Sequence, residues 1–341
     1  MLSNAPNSDP KAKAPTLILK SDADKSLQLD LYRKMCLFRR FEEKVGLAYT
    51  KRKFSGFCHL HIGQEALCAG VQAAIKDTDY IFSGYRSHTQ AIAKGIKPGQ
   101  VMAELFGKAD GICRGKGGSM HMFSAEHRFM GGHGIVGGQL PLAAGVGFAI
   151  RYEEKDDIVV CYMGDAATNQ GAFHEALNMA ATWDIPVLYI IENNRYGMGT
   201  DIRRTSSIDH LWKRALSYDM DYSDVDGMNV LATYEHVTKL VNKMRDDKKP
   251  HLMEALTYRY RGHSVSDPGT YRTKSEVEEY QKNRDPIMQH GKALVSQGYA
   301  TEAELKAWDK SAKEAAKEAE KFADESPFPP ISEALDHNLV P

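Results

Sequence analysis

Asp165 and Asn194 carry the first chemical signal in this sequence. Asp165 follows the apolar run 158–163, and Asn194 follows a second apolar run, 186–191. Between them, Phe173, Leu177, Ala180 and Ala181 fall at spacings of three and four. That order predicts a buried strand, an amphipathic helix and a parallel strand, with polar residues closing both strands. Open parallel sheets take their ligands just outside the carboxyl ends of the strands. Asp165 offers an anionic oxygen there and Asn194 a neutral one. Both are hard donors of the kind Mg²⁺ takes, with phosphates, carbonyls or water filling its remaining positions. By themselves, an Asp and an Asn after strands are also ordinary turn residues.

The spacing is more specific. Gly164-Asp165-Ala166 is followed by 26 residues, 167–192, and then by Asn193-Asn194. This resembles the thiamine diphosphate motif, whose Asp and Asn hold the metal that clamps the diphosphate. Further segments resemble the E1 alpha family of 2-oxo acid dehydrogenases, most closely the pyruvate type. They are GFCH and GQEA within 55–66, IFSGYRSH at 81–88, GKGGSMHM at 115–122, GGHGIVGGQLPLAAGVG at 131–147, NNRYGMGT at 193–200 and YRYRGHSVSDPGTYRT at 258–273. The resemblance spans roughly residues 27–325.

The resemblance implies an α/β fold with a parallel sheet flanked by helices and helical extensions at both ends. It implies Mg²⁺ held by Asp165, Asn194 and the backbone carbonyl of Tyr196. Gly164, Ala166, Ala167, Tyr85 and Arg86 would lie around the diphosphate, and backbone groups of Gly134 and Val136 beside the aminopyrimidine ring. His59 and His263 would be catalytic. The implied reaction is decarboxylation of a 2-oxo acid, with the acyl group passed to a lipoyl group on E2. The 258–273 segment would close over the cofactor and meet that partner. His61 has no such counterpart and is expected to be a surface or satisfied histidine.

There are departures. Family members usually carry Gly where this chain has Ala166, and the site is expected to tolerate the methyl group. Ser264 stands where animal relatives are phosphorylated, but GTYRT is one residue shorter than their loop, which argues against that modification here. Thiamine chemistry also needs a carboxylate on the pyrimidine, which single-chain enzymes carry on a second domain. This chain is expected to hold one diphosphate-type domain and no second. The expected partner is therefore an E1 beta subunit in an α2β2 assembly.

The remaining elements must position these groups. Leu31, Met35, Phe38, Phe41, Val45 and Ala48 predict a helix from Leu27, with most charges opposite. Twelve glycines within 107–147 let backbone N–H groups approach a ligand, and the interleaved Met120, Met122, Ile135 and Val136 argue against a linker. The 258–273 stretch is too polar to be core. Ser275 with Glu278, and Thr301 with Glu304, fit capping boxes. Asp285-Pro286 fits a helix start. Leu305, Trp308, Ala312, Ala315, Ala319 and Phe322 predict one packing stripe. The expected organisation is an arm at 1–25, a cofactor-binding domain at 26–274 and a helical extension at 275–341.

Composition bounds the rest. The 341 residues carry a formal charge of −1, which gives no basic field for nucleic acid. No apolar run approaches a membrane span. Five cysteines without metal-ligand spacing read as free thiols in a reducing compartment. The first twenty residues lack the pattern of a presequence, so a cytoplasmic setting is expected, with a mature mitochondrial chain as the alternative. Acetoin and branched-chain 2-oxo acid dehydrogenases are the rival enzymes. A catalytically idle subunit is the rival from outside the enzymes. No GxGxxG opens a helix after a strand, which excludes a nicotinamide-binding reading.

Overall fold

In the computed structural model, residues 23–336 are described. Residues 1–22 of the expected arm lie outside them. Helix α1 runs Lys25–Thr50, starting two residues earlier than its stripe predicts. Asp24 caps it by accepting the Leu27 N–H. All six predicted apolar positions are buried, but so is Glu42, which the pattern places among the outward charges.

The chain continues with α2 (Glu65–Ala74), β1 (Tyr80–Gly84), α3 (His88–Ala93), α4 (Pro98–Leu105), β2 (Phe129–His133) and α5 (Gln139–Tyr152). The predicted βαβ unit follows as β3 (Val159–Gly164), α6 (Gly171–Thr182) and β4 (Val187–Asn193). A short hairpin, β5 (Tyr196–Gly197) and β6 (Thr200–Asp201), leads to β7 (Asp221–Asp226), α7 (Val230–Asp247) and β8 (His251–Leu256).

Six strands form one sheet in the order β2-β1-β3-β4-β8-β7, and every pairing is parallel. Strand alternation divides the core. Ile81, Val160, Tyr162, Leu188 and Ile190 face the layer that contains α1, α2 and α7. Phe82, Val159, Cys161, Met163 and Tyr189 face α5 and α6. Both faces are covered, so β3 and β4 read as unbroken apolar runs rather than alternating ones. The chain leaves β1 toward β2 on one side and returns as β3 on the other. The sheet therefore has its topological switch point between β1 and β3.

The last helices are α8 (Lys274–Arg284), α9 (Pro286–Ser296) and α10 (Glu302–Glu325). They pack onto the body: Tyr280 stacks on Tyr258 at 3.8 Å, and Arg284 pairs with Asp226 at 2.7 Å. The Thr301–Glu304 capping box forms, and Asp285 caps α9 with Pro286 in its first turn. The Ser275 box does not form. Thr273 is the cap of α8, accepting from the Glu276 N–H, because the backbone is still extended there. The α10 stripe is also rotated from its prediction. Ala312, Ala316, Ala319 and Ala323 are buried, while Ala315 is exposed and Phe322 is 41% exposed. Four small residues let α10 lie close on α1 and α4, and the bulky ring moves to the flank against Gly99. Four cysteines are buried, Cys113 is partly so, and all five are free.

Candidate functional site

A cavity of about 250 Å³ opens at the carboxyl ends of β1, β3 and β4. Tyr85 and Arg86 enter it after β1, Val136 after β2, Gly164 to Ala167 after β3, and Asn194 and Tyr196 after β4. Nine of the predicted residues thus meet at the switch point. The register explains why, since Gly164 pairs with Glu192 and the β3 and β4 ends are level. Gly164 is exposed between two buried neighbours, and a Cβ on it would meet no atom within 4 Å. It faces open space. A larger cavity, about 540 Å³, lies behind the 261–273 loop between α1 and α8, and holds none of the predicted site residues.

Asp165 is 4% exposed, and burial pushes its carboxyl up to about 6, against the opposing pull of its own N–H, nearby Arg259 and the Asn194 N–H. No Lys, Arg or His among the described residues forms an ion pair with it. Asn194 donates its side-chain N–H to Gln64 at 3.2 Å, which turns its oxygen toward the cavity side. Asn193 differs: its amide donates to Glu254 at 2.7 Å, and its side-chain oxygen accepts from the Arg195 N–H, so it is a structural residue of the turn. Arg195 and Met198 both sit at positive φ, 75° and 53°. That bend turns the Tyr196 carbonyl inward.

His59 and His263 do not line the cavity but pack at its edge. The His59 ring lies 4.4 Å from Tyr85 and 4.9 Å from His263, and Tyr85 lies 5.6 Å from His263. Burial, reinforced by the neighbouring Arg86, drives His59 down to about 3 and His263 down to about 4. Both rings are therefore neutral at pH 7. The Nδ1 atom of each is buried without a hydrogen-bond partner. Asp267 shapes the loop that carries His263: it accepts from the His263 N–H, the Gly269 N–H and the Tyr271 hydroxyl.

Arg86 is buried and donates to the carbonyls of Leu60, at 2.8 Å, and His263. It ties the 55–66 segment to the 258–273 segment. Burial, with Arg259 nearby, lowers its guanidinium to about 10. Gly134 lies off the cavity, its N–H donating to His121 Nε2 at 3.3 Å.

The structure corrects two readings. Tyr258, Arg259 and Tyr260 are buried, so the start of the 258–273 stretch is core after all. The Tyr258 ring stacks on Tyr280, and the Arg259 guanidinium is held by oxygens of the 194–198 hairpin and the Tyr271 hydroxyl. The glycines of 111–118 do not wait for an external anion. The N–H groups of Cys113, Gly115, Gly117 and Gly118 surround the buried Glu104 carboxylate at 2.7 to 3.0 Å.

Sequence reasoning also missed Glu192, which lines the cavity and receives His61 Nε2 at 2.8 Å. A carboxylate closing the apolar run of β4 was the available signal. His61 is fully buried, with Thr89 Oγ on its other nitrogen at 2.8 Å, so it is the satisfied histidine expected. Ser264 is half-buried and shares a hydrogen bond with Ser266.

A family profile described as "Dehydrogenase E1 component" matches residues 33–332. Among curated relatives, "Pyruvate dehydrogenase E1 component subunit alpha" of Rhizobium meliloti is 47% identical over 94% of this chain and 92% of its own length. The protein of the same name from Zymomonas mobilis is 45% identical over 97% of this chain and 94% of its own. That of Rickettsia bellii is 45% identical over 87% and 91%. With a parallel sheet whose switch point gathers the Asp165 and Asn194 oxygens, and likeness of this extent, the chain belongs to the dehydrogenase E1 component family, among its alpha subunits.

Proposed function

We propose that this chain is the alpha subunit of a pyruvate dehydrogenase E1 component, which decarboxylates pyruvate and hands the acetyl group to a lipoyl group on an E2 acyltransferase. The observation that supports this most is the buried, un-ion-paired Asp165 carboxylate beside Asn194 and the inward Tyr196 carbonyl. A carboxyl raised by burial and lining the cavity suits a cation that arrives with its own phosphate ligands. The unpartnered Nδ1 atoms of His59 and His263 likewise suit a ligand not yet in place.

In this reading Asp165, the Asn194 side-chain oxygen and the Tyr196 carbonyl hold Mg²⁺. Gly164, Ala166, Ala167, Tyr85 and Arg86 surround the diphosphate, while Val136 and Gly134 approach the aminopyrimidine ring. Thiamine diphosphate supplies a carbon nucleophile and the electron sink that loss of CO₂ requires. His59 and His263, neutral at pH 7, can each accept a proton at the reacting centre and return it. With a negative diphosphate held nearby, the affinity of both rings for that proton would rise toward the working pH. Tyr85 packs against both rings.

A beta subunit completes the site. Ile135, 78% exposed, and Met198, 66% exposed, flank the cavity mouth. Leu142, Phe148 and Tyr152 on α5 and Trp183 after α6 are exposed as well, with Phe148 packed on Tyr152 and Trp183. An apolar surface of this kind marks a protein contact. Among the described residues no helix is long and apolar enough to cross a membrane. A cytoplasmic setting remains part of this proposal.

The test is to purify the tagged chain with its bound partners and assay thiamine diphosphate- and Mg²⁺-dependent decarboxylation. Pyruvate, a branched 2-oxo acid and acetoin would be compared. Pyruvate turnover with a beta-type partner supports the reading. Turnover of another substrate keeps the chemistry and changes the specificity. A partnered complex without cofactor-dependent turnover favours the idle subunit.

A further inference from the structure

We propose that Gln64 and Arg259 are positioning residues for the candidate metal site, and that between them they fix the Asn194 carboxamide with its oxygen, and not its NH₂ group, toward the ion. The inference rests on the site reading above and names what orients one of its ligands.

Half a turn of an asparagine amide exchanges its oxygen and its NH₂ group, and only the oxygen can hold a cation. Arg259 decides between the two. It is 1% exposed, and its Nη1 lies 3.3 Å from the Asn194 side-chain oxygen. A guanidinium donates and never accepts, so an NH₂ group at that place would set donor against donor. The Asn194 oxygen has two lone pairs, and accepting from Arg259 leaves one for the ion. The other end of the same amide donates to Gln64 Oε1 at 3.2 Å, and that oxygen also accepts from the Thr257 hydroxyl at 3.0 Å. Gln64 is fully buried, and its Nε2 has no partner. The relay therefore runs one way, from Arg259 through Asn194 to Gln64.

The backbone keeps the two ends in step. Thr257 and Arg259 come from one stretch that follows β8, and the 62–64 segment is locked against it. The Tyr260 N–H donates to the Ile62 carbonyl at 3.0 Å. Gly63, at a φ of 102°, lies so close that a Cβ on it would be 2.3 Å from the Tyr258 carbonyl oxygen. Gln64 thus cannot withdraw from Asn194 without parting the two segments. Outer groups held in this way keep a metal ligand in the orientation that binds.

The experiment titrates Mn²⁺, as a paramagnetic substitute for Mg²⁺, into the purified complex with thiamine diphosphate present, and reads free Mn²⁺ by electron paramagnetic resonance. Gln64→Met, which removes the acceptor at similar volume, is expected to raise the Mn²⁺ dissociation constant roughly tenfold or more. Gln64→Glu keeps an acceptor for Asn194 and is expected to bind Mn²⁺ at least as tightly as the unmodified complex. A residue that only fills space would give the reverse order, since methionine suits a buried position and a carboxylate does not. Unchanged Mn²⁺ binding in Gln64→Met, or binding in Gln64→Glu as weak as in Gln64→Met, overturns the inference. Gln64→Asn, one methylene too short to reach Asn194, decides the matter if Gln64→Met does not assemble: it too should weaken Mn²⁺ binding, and unchanged binding overturns the inference. Asp165→Asn is the separate control. Mn²⁺ binding that survives it overturns the site reading itself, whatever the Gln64 variants do.

Discussion

The methyl group of Ala166 occupies the space that Gly197 leaves by having no side chain; a Cβ on Gly197 would lie 2.6 Å from it. The departure from the usual Gly at 166 is thus accommodated by the β5 hairpin. Gly197→Ala is expected to destabilise the chain by about 1–3 kcal/mol through overpacking. Adding Ala166→Gly should restore most of that loss. Thermal unfolding of the two single variants and the double variant measures the coupling, and purely additive effects would contradict the contact.

Glu104 is the centre of the 111–118 loop, with four backbone N–H groups on one fully buried carboxylate. Glu104→Gln places an NH₂ group against two of those donors. The expected cost is about 3 kcal/mol, since hydrogen bonds to a charged acceptor contribute about 1.5–3 kcal/mol each and the freed donors stay buried. Chemical denaturation gives the loss, and limited proteolysis should show first cleavage within 111–118. A loop as resistant as that of the unmodified chain would mean that Glu104 does not hold it.

His251 is buried on β8 and bonded to Ser223, and burial drives it down to about 4 from 6.5. The unfolded chain takes up a proton there more readily than the folded one. Its contribution to stability is therefore complete above pH 6.5 and is lost as the pH falls from 6.5 toward 4. His59 and His263 act in the same direction. The urea midpoint of the unmodified protein should fall between pH 7 and pH 5 more steeply than that of His251→Gln. Parallel curves would show that His251 is not buried neutral.

Asp165→Ala is expected to abolish Mg²⁺-dependent binding of thiamine diphosphate to the assembled complex. Removing the carboxylate leaves the protein only neutral oxygens to offer the ion beside the diphosphate. Calorimetric titration of the cofactor with and without Mg²⁺ reads this directly. Retained metal-dependent binding would place the ion elsewhere.

His263→Ala is expected to leave cofactor affinity nearly unchanged and to slow transfer of the acyl group to lipoyl by about 10²–10⁴-fold, the usual contribution of a positioned proton-transfer group. Single-turnover transfer to a lipoyl domain, followed beside cofactor titration, separates the two effects. Lost cofactor affinity with intact transfer would assign His263 to binding.

The sequence by itself determined the frame. The apolar runs before Asp165 and Asn194 became β3 and β4 because strands buried on both faces need no alternation, and periodicity at 3.6 residues located α1 and α6. The same local signals placed Asp165 and Asn194 after strand ends, and parallel pairing then brought those ends level, whereas Tyr196 entered only through the family resemblance. What tertiary structure alone decided is which polar groups are buried and with whom. Arg259 looks like one of several loop arginines until the 194–198 hairpin closes on it, more than sixty residues away in sequence. His61 meets Glu192 across 131 positions, and Glu104 takes the backbone of a glycine loop that reads as a cradle for something else. Periodicity records the face a residue occupies within its own element. Pairing of charges and hydrogen bonds between elements depends on how close they are packed, and no local pattern carries that distance.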